Sequence, residues 1–114
     1  MRISVQSIHF NADKKLLAFI RKKAEKLDQF SHQILNAEVY LRLENTEDEY
    51  NKIAEIKLNL PGSQLFVKEQ CKSFEEATDL AVESLRRQVT KHKTKLRSRI
   101  ANYKNEMITV HAIV

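Results

Sequence analysis

The residues with chemical potential in this sequence are concentrated between Ser84 and Asn105. That stretch holds Arg86, Arg87, Lys91, Lys93, Lys95, Arg97, Arg99 and Lys104, with no acidic residue among them. Cations crowded in this way repel one another unless a polyanion lies along them, and the commonest large polyanion is a nucleic-acid backbone. The stretch is helical in character: Gly and Pro are absent, and Leu85, Val89, Leu96, Ile100 and Tyr103 recur at three- to four-residue spacing. On a helix, Arg86, Thr90, Lys93 and Arg97 share one ridge and Arg87, Lys91 and Lys95 the next. Two cationic ridges turned away from a thin apolar seam make a candidate phosphate-binding surface. His92 lies inside the run, where it either packs its ring at the seam or contacts a phosphate more strongly when protonated.

Other chemistries find little support. Hydrolysis of RNA by acid and base would pair His92 with a carboxylate, and the block contains none. His9, His32, His92 and His111 have no metal-ligand spacing, and the lone cysteine, Cys71, reads as a small buried hydrophobe. The single Gly and single Pro adjoin as Pro61-Gly62, which leaves no Gly-rich phosphate loop. Neither a metal nor a cofactor nor a small-molecule substrate is expected, and the protein is read as a binder and not an enzyme. Tyr40, Tyr50 and Tyr103 are read as packing residues, with base stacking as the alternative.

The net charge of +5 conceals a segregation along the chain. Residues 1–27 carry seven basic and two acidic groups, residues 28–83 five and twelve, and residues 84–114 eight and one. If both basic ends share a surface, a large anion is captured in a preferred orientation. At 114 residues the chain fits one domain, placed at 1–105 and followed by a short apolar tail at 106–114. With 42% apolar residues, 31% charged ones and no apolar run of transmembrane length, a soluble cytoplasmic protein without membrane contact is expected.

The elements that position the basic block can be read from periodicity. Residues 2–10 alternate with Ile3 and Val5 on one face, a first strand. Asn11 or Asp13 can cap a helix in which Leu16, Leu17, Ile20, Ala24 and Leu27 form a buried stripe and Lys14, Lys15, Arg21, Lys22 and Lys26 the other face. The polar cluster Ser31 to Gln33 ends it. Ala37, Val39, Leu41 and Leu43 alternate with polar residues in a second strand, and Ala54, Ile56, Leu58 and Leu60 in a third, joined by a long acidic tip at Glu44 to Asn51. Pro61-Gly62 turns the chain into a fourth strand, Gln64 to Gln70. Ser73 and Glu76 form a capping box for a second helix whose stripe is Phe74, Ala77, Leu80, Ala81, Leu85 and Val89. Run to about Tyr103, that helix is roughly 45 Å long and overhangs the sheet with its basic part. The expected fold is α+β, in the order β-α-β-β-β-α, a four-stranded sheet with two helices packed on one face.

At this point the residues resemble a known family. Leu85 to Arg97, reading L-R-R-Q-V-T-K-H-K-T-K-L-R, is similar to the end of the second helix of the ribosome hibernation-promoting factor family, which includes the ribosome-associated inhibitor. Lys26 to Leu41, reading K-L-D-Q-F-S-H-Q-I-L-N-A-E-V-Y-L, is similar to that family's first-helix end and second strand. The resemblance covers about residues 1–100 and looks like the family's short form. It implies a double-stranded-RNA-binding type of fold and binding to the small ribosomal subunit, hence 16S-type rRNA, near the decoding region. By position it assigns RNA contacts to Arg87, Lys91, Lys93 and Lys95, with Arg21, Lys22 and Lys26 on the first helix; helix geometry adds Arg86, Thr90 and Arg97, and His92 falls among them. Translation would then stop by occlusion of the messenger and transfer RNA sites, with other hibernation factors as further partners. A general binder of duplex DNA or RNA and a small RNA hydrolase are the competing readings. The apolar tail departs from the inhibitor's acidic one.

Overall fold

A computed structural model describes residues 1–31 and 33–91; His32, the basic residues from Lys93 onward, His92 and the tail at 106–114 lie outside the described residues. The elements are β1 (Arg2–Ile8), α1 (Lys14–Glu25), a 3-10 turn (Lys26–Gln29), β2 (Asn36–Leu43), β3 (Lys52–Leu60) and β4 (Ser63–Cys71). A second helix, α2, is described over residues 74–91. The element order is β-α-β-β-β-α, as the periodicity leads one to expect.

Alternating side chains decide the strands and a cap decides each helix. Asp13 accepts from the Leu16 N–H at 2.7 Å and starts α1, so the capping residue is Asp13 and not Asn11. Ser73 accepts from the Glu76 N–H at 3.1 Å and starts α2, the serine half of the expected capping box. Between β3 and β4 the turn is the two residues Pro61 and Gly62, with Leu60 paired to Ser63. Gly62 has φ +70, a value a proline ring cannot supply and an L side chain adopts at a cost. The fourth strand is one residue longer at each end than the sequence alone suggests, because Ser63 and Cys71 still pair with β3. The first helix ends earlier, at Glu25, and winds on as a tighter 3-10 turn to Gln29.

The strands lie in the order β1-β2-β3-β4; β1 is parallel to β2 and the other pairs are antiparallel. One face of the sheet and both helices enclose a single core. It joins Ile20, Ala24 and Leu27 from the first helix, Val39 and Leu41 from β2, Ile56 and Leu58 from β3, Val67 from β4, and Ala77, Ala81, Leu85 and Val89 from α2. Both helices therefore occupy the same face. The stripe of α2 differs from the sequence reading at one place: Leu80 is 46% exposed, and Thr78 takes the interior position. At 100° per residue Leu80 falls outside the arc bounded by Ala77 and Val89, whereas Thr78 falls within it.

The opposite face is polar. Glu38 pairs with Lys57 at 3.8 Å and Arg42 with Glu55 at 3.5 Å, ordinary surface pairs across neighbouring strands. Both sheet edges are blunted. Arg21 reaches over β1 and donates to the Ile3 carbonyl at 3.1 Å, and β4 carries Lys68 and Glu69 in its middle.

Leu85, fully buried, is the side chain that joins the middle of α2 to the sheet. Leu85→Ala leaves a cavity that rigid neighbours cannot fill and should cost about 2–5 kcal/mol, measured as a lower urea midpoint with an unchanged m-value.

Candidate nucleic-acid interface

The two helices run in the same direction. Each leaves the same end of the sheet, α1 after β1 and α2 after β4. Two contacts fix their alignment: Lys23 Nζ lies 3.1 Å from Asp79 Oδ1, and the Arg86 guanidinium lies 5.9 Å from the Phe30 ring centroid. Seven residues along the first segment match seven along the second. Both helices thus bring their basic ends, Lys22, Lys23 and Lys26 on one and Arg86, Arg87 and Lys91 on the other, to a single pole of the domain. Lys22 and Lys23 lie in the last turn of α1, with Lys26 just beyond it, at the negative end of that helix's dipole, which lowers the cost of gathering cations there.

Acidic residues from the start of α2 and from the β2–β3 tip lie at the other pole, where α1 opens with Lys14 and Lys15. Phe10 stacks on Phe74 with centroids 5.1 Å apart, which draws the start of α2 and its Glu75 and Glu76 beside the end of β1. Lys72 at that end pairs with Glu49 of the acidic tip at 3.7 Å and lies 5.2 Å from the Tyr50 ring.

Two of the basic residues singled out above have partners within the protein. Arg21 shares neither the orientation nor the surroundings of Lys22 and Lys26. It points to the β1 edge, where it donates to the Ile3 carbonyl and lines a hollow with Glu25 and Asp28. The cause is azimuth: 100° of helical rotation separates Arg21 from Lys22. Arg86 is half-buried between the helices and is paired with Glu83, one residue before the acid-free block begins. This pair moves both groups from their ordinary values. The hydrogen bond from Arg86 holds the Glu83 carboxyl below the usual carboxylate range, and the same contact holds the guanidinium more firmly protonated. Lys23, absent from the residues expected to contact RNA, is held by Asp79 and lies 5.5 Å from the Phe19 ring. Asp79 and Glu83 therefore bring carboxylates nearer to the basic pole than the sequence block alone suggests, each engaged by a cation.

Thr90 donates to the Arg86 carbonyl at 2.9 Å, a bond that closes back onto its own helix. Lys22, Lys26, Arg87 and Lys91 are exposed and form no ion pair among the described residues. Arg87 and Lys91 lie on the flank of α2 turned from α1, so the cationic surface curves from one helix over the other. His92, Lys93, Lys95 and Arg97 fall outside the described residues.

Comparison with known proteins adds to this geometry. Residues 3–97 match the family described as sigma 54 modulation protein / S30EA ribosomal protein. The chain belongs to that family. A curated relative, the ribosome hibernation promoting factor of Klebsiella oxytoca, is 26% identical over 97 residues, which cover 85% of this chain and 98% of the relative. The crystal structure of the Thermus thermophilus protein Y N-terminal domain superposes with a TM-score of 0.69 at 28% identity, over 81% of this chain and 99% of that one. A ribosomal subunit interface protein from Coxiella burnetii shares the fold, with a TM-score of 0.70 at 21% identity over 82% and 99% of the two chains. These two structures thus reproduce the fold of this domain.

Among the described residues no group of three or more His, Cys, Asp and Glu side chains could hold a metal ion, and no helix is long and apolar enough to cross a membrane. Cys71 is buried; burial, followed by the charges of Glu76 and Glu69, raises its thiol pKa and keeps it protonated.

The Glu83 carboxyl should titrate below the ordinary glutamate range by carbon-detected NMR and return towards it in Arg86→Ala. Because the folded value is the lower one, whatever this exposed pair adds to stability is present above the unfolded pKa and lost as pH falls through the folded one.

Proposed function

We propose that this protein binds the small ribosomal subunit near the decoding region through the basic ends of its two parallel helices, and that it halts translation by occupying space that messenger and transfer RNA would use. The observation that carries this reading is the gathering of Lys22, Lys26, Arg87 and Lys91, unpaired among the described residues, at one pole of a domain whose fold and family are those of a ribosome hibernation promoting factor. No bond need be made or broken. A rigid sheet-and-helix body fills a channel while its cations displace counterions from rRNA phosphates. Contacts to phosphate fix position without reading base sequence, and one fixed RNA surface demands no more. Ribosomal RNA of the 16S type is the partner on this reading, the cytoplasm is where the protein works, and idle ribosomes are its targets. Lys93, Lys95 and Arg97, with His92 among them, follow in the sequence and belong to the RNA contacts of this reading.

Arg86 and Arg21 contribute less on this account, since Glu83 and the Ile3 carbonyl already engage them. Exposed cations at the pole dominate the salt dependence, each phosphate contact adding about one unit to the slope of log affinity against log salt.

A variant combining Lys22→Ala, Lys26→Ala, Arg87→Ala and Lys91→Ala changes only exposed side chains and should keep its circular dichroism spectrum. In sucrose gradients it should leave the small subunit at salt concentrations where the wild type stays bound, with a salt slope lower by roughly four units. Unchanged co-sedimentation and an unchanged slope would remove this surface from the interface.

A further inference from the structure

β4 closes one side of the sheet, and none of the described residues pairs with its outer edge. The two-residue turn before it makes Leu60 and Ser63 exchange backbone hydrogen bonds, so the residues that follow alternate in direction. Leu65, Val67 and Glu69 turn their N–H and C=O groups to β3, and Gln64, Phe66 and Lys68 turn theirs off the sheet. An open edge of this kind is a template for a further strand. Its middle carries Phe66, which is 56% exposed on the polar face of the sheet, opposite Lys57. Gln70, at the far end, reaches to the β2–β3 tip, where it donates to Glu44 and to the Tyr50 carbonyl. The free part of the edge is therefore centred on Phe66.

We infer that this edge receives the same edge of a second copy of the chain, antiparallel, with Phe66 opposite Phe66 on a twofold axis. The residues match in that register. Leu65 faces Val67 of the second copy on the core side, Gln64 faces its Lys68, and Ser63 faces its Glu69. Apolar side chains meet at the axis, and neither Lys68 nor Glu69 meets its own kind. Neighbouring registers match less well. Centred on Leu65, the pair sets Phe66 against Gln64 and Val67 against Ser63; centred on Val67, it sets Phe66 against Lys68 and Leu65 against Glu69; centred on Lys68, it sets ammonium on ammonium. The charges that blunt this edge thus also select among its pairings. In the matched register, Gln64, Phe66 and Lys68 of the two copies exchange about six backbone hydrogen bonds. The axis stands perpendicular to the sheet, so the two four-stranded sheets become one, the helices share a face, and the two basic poles point in opposite directions. A seam this short makes a weak, concentration-dependent pair. It uses a surface that the RNA-binding reading leaves unused and does not depend on that reading.

The test combines sedimentation equilibrium of the nucleic-acid-free full chain, from micromolar to millimolar concentration, with amide hydrogen exchange followed by NMR. A monomer–dimer equilibrium is expected, with protection of the Gln64, Phe66 and Lys68 amides that rises with concentration. Phe66→Lys changes an exposed side chain outside the core, so it should keep the wild-type urea midpoint; it should stay monomeric, because it sets two ammonium groups on the axis. The register is read at Gln64. Gln64→Glu gives Lys68 of the second copy a carboxylate at two symmetric places and should tighten the pair about fivefold, and Gln64→Lys should loosen it about as much. A chain that stays monomeric throughout overturns the inference, whether these amides exchange freely or are protected at every concentration by residues 106–114 of the same chain. A dimer that Phe66→Lys leaves intact, or that responds equally to both Gln64 variants, overturns it as well.

Discussion

The parallel run of the two helices is the constraint from which the rest of this molecule follows. A sheet in which β1 lies parallel to β2, and in which β4 ends where β1 ends, sends both helices off from one end and carries both towards the other. Their sequences then place Glu75 and Glu76 of α2 at the common start, beside Lys14 and Lys15 of α1, and bases of both helices further along. Antiparallel helices bearing the same residues would have set Lys22 and Lys26 beside Glu75 and Glu76, away from Arg87 and Lys91. The Lys23–Asp79 pair and the Arg86–Phe30 contact hold the alignment at two points along the seam.

The internal pairs at this seam lower the cationic charge that the sequence promises. Asp79 and Glu83 lie one turn apart on α2, each against a cation. They relieve repulsion between Lys23 and Arg86 at the place where the helices approach one another, and they leave the unpaired charge to side chains further out. Exposed pairs of this kind contribute little to stability, and burial of the shared core carries the fold. Their consequence is for the shape of the electrostatic surface: unpaired charge stands at the outer ridges and paired charge in the groove.

Much of the fold was legible in the sequence because alternation and capping are local. Ile3 and Val5, the alternating residues of β2 and β3, Asp13, Ser73 and Pro61-Gly62 each announce an element within a few positions. Azimuth across elements is another matter. Arg21 and Lys22 read alike as exposed bases of one helix, yet one residue of rotation sends the first to the β1 edge. Arg86 read as part of an uninterrupted basic run because the acid that engages it, Glu83, stands just outside the run; an i, i+3 search across the boundary would have found it. Lys23 was passed over because its partner is distant in sequence. Leu80 was counted inward on spacing alone, although Thr78 fills that place. The direction of one helix relative to the other, on which the basic pole depends, is a property of the sheet order that no single segment encodes.

The account stands or falls on whether both helix ends face the same RNA. An iron chelate tethered in turn at Lys26→Cys, Lys91→Cys and Lys68→Cys, in a Cys71→Ala background, releases hydroxyl radicals that cut nearby rRNA in complexes with the small subunit. Tethers at Lys26→Cys and Lys91→Cys should cut overlapping stretches of rRNA, and the tether at Lys68→Cys, on the far side of the sheet, should not cut there. Cleavage of a common stretch from Lys68→Cys, with none from the two helix positions, would contradict it.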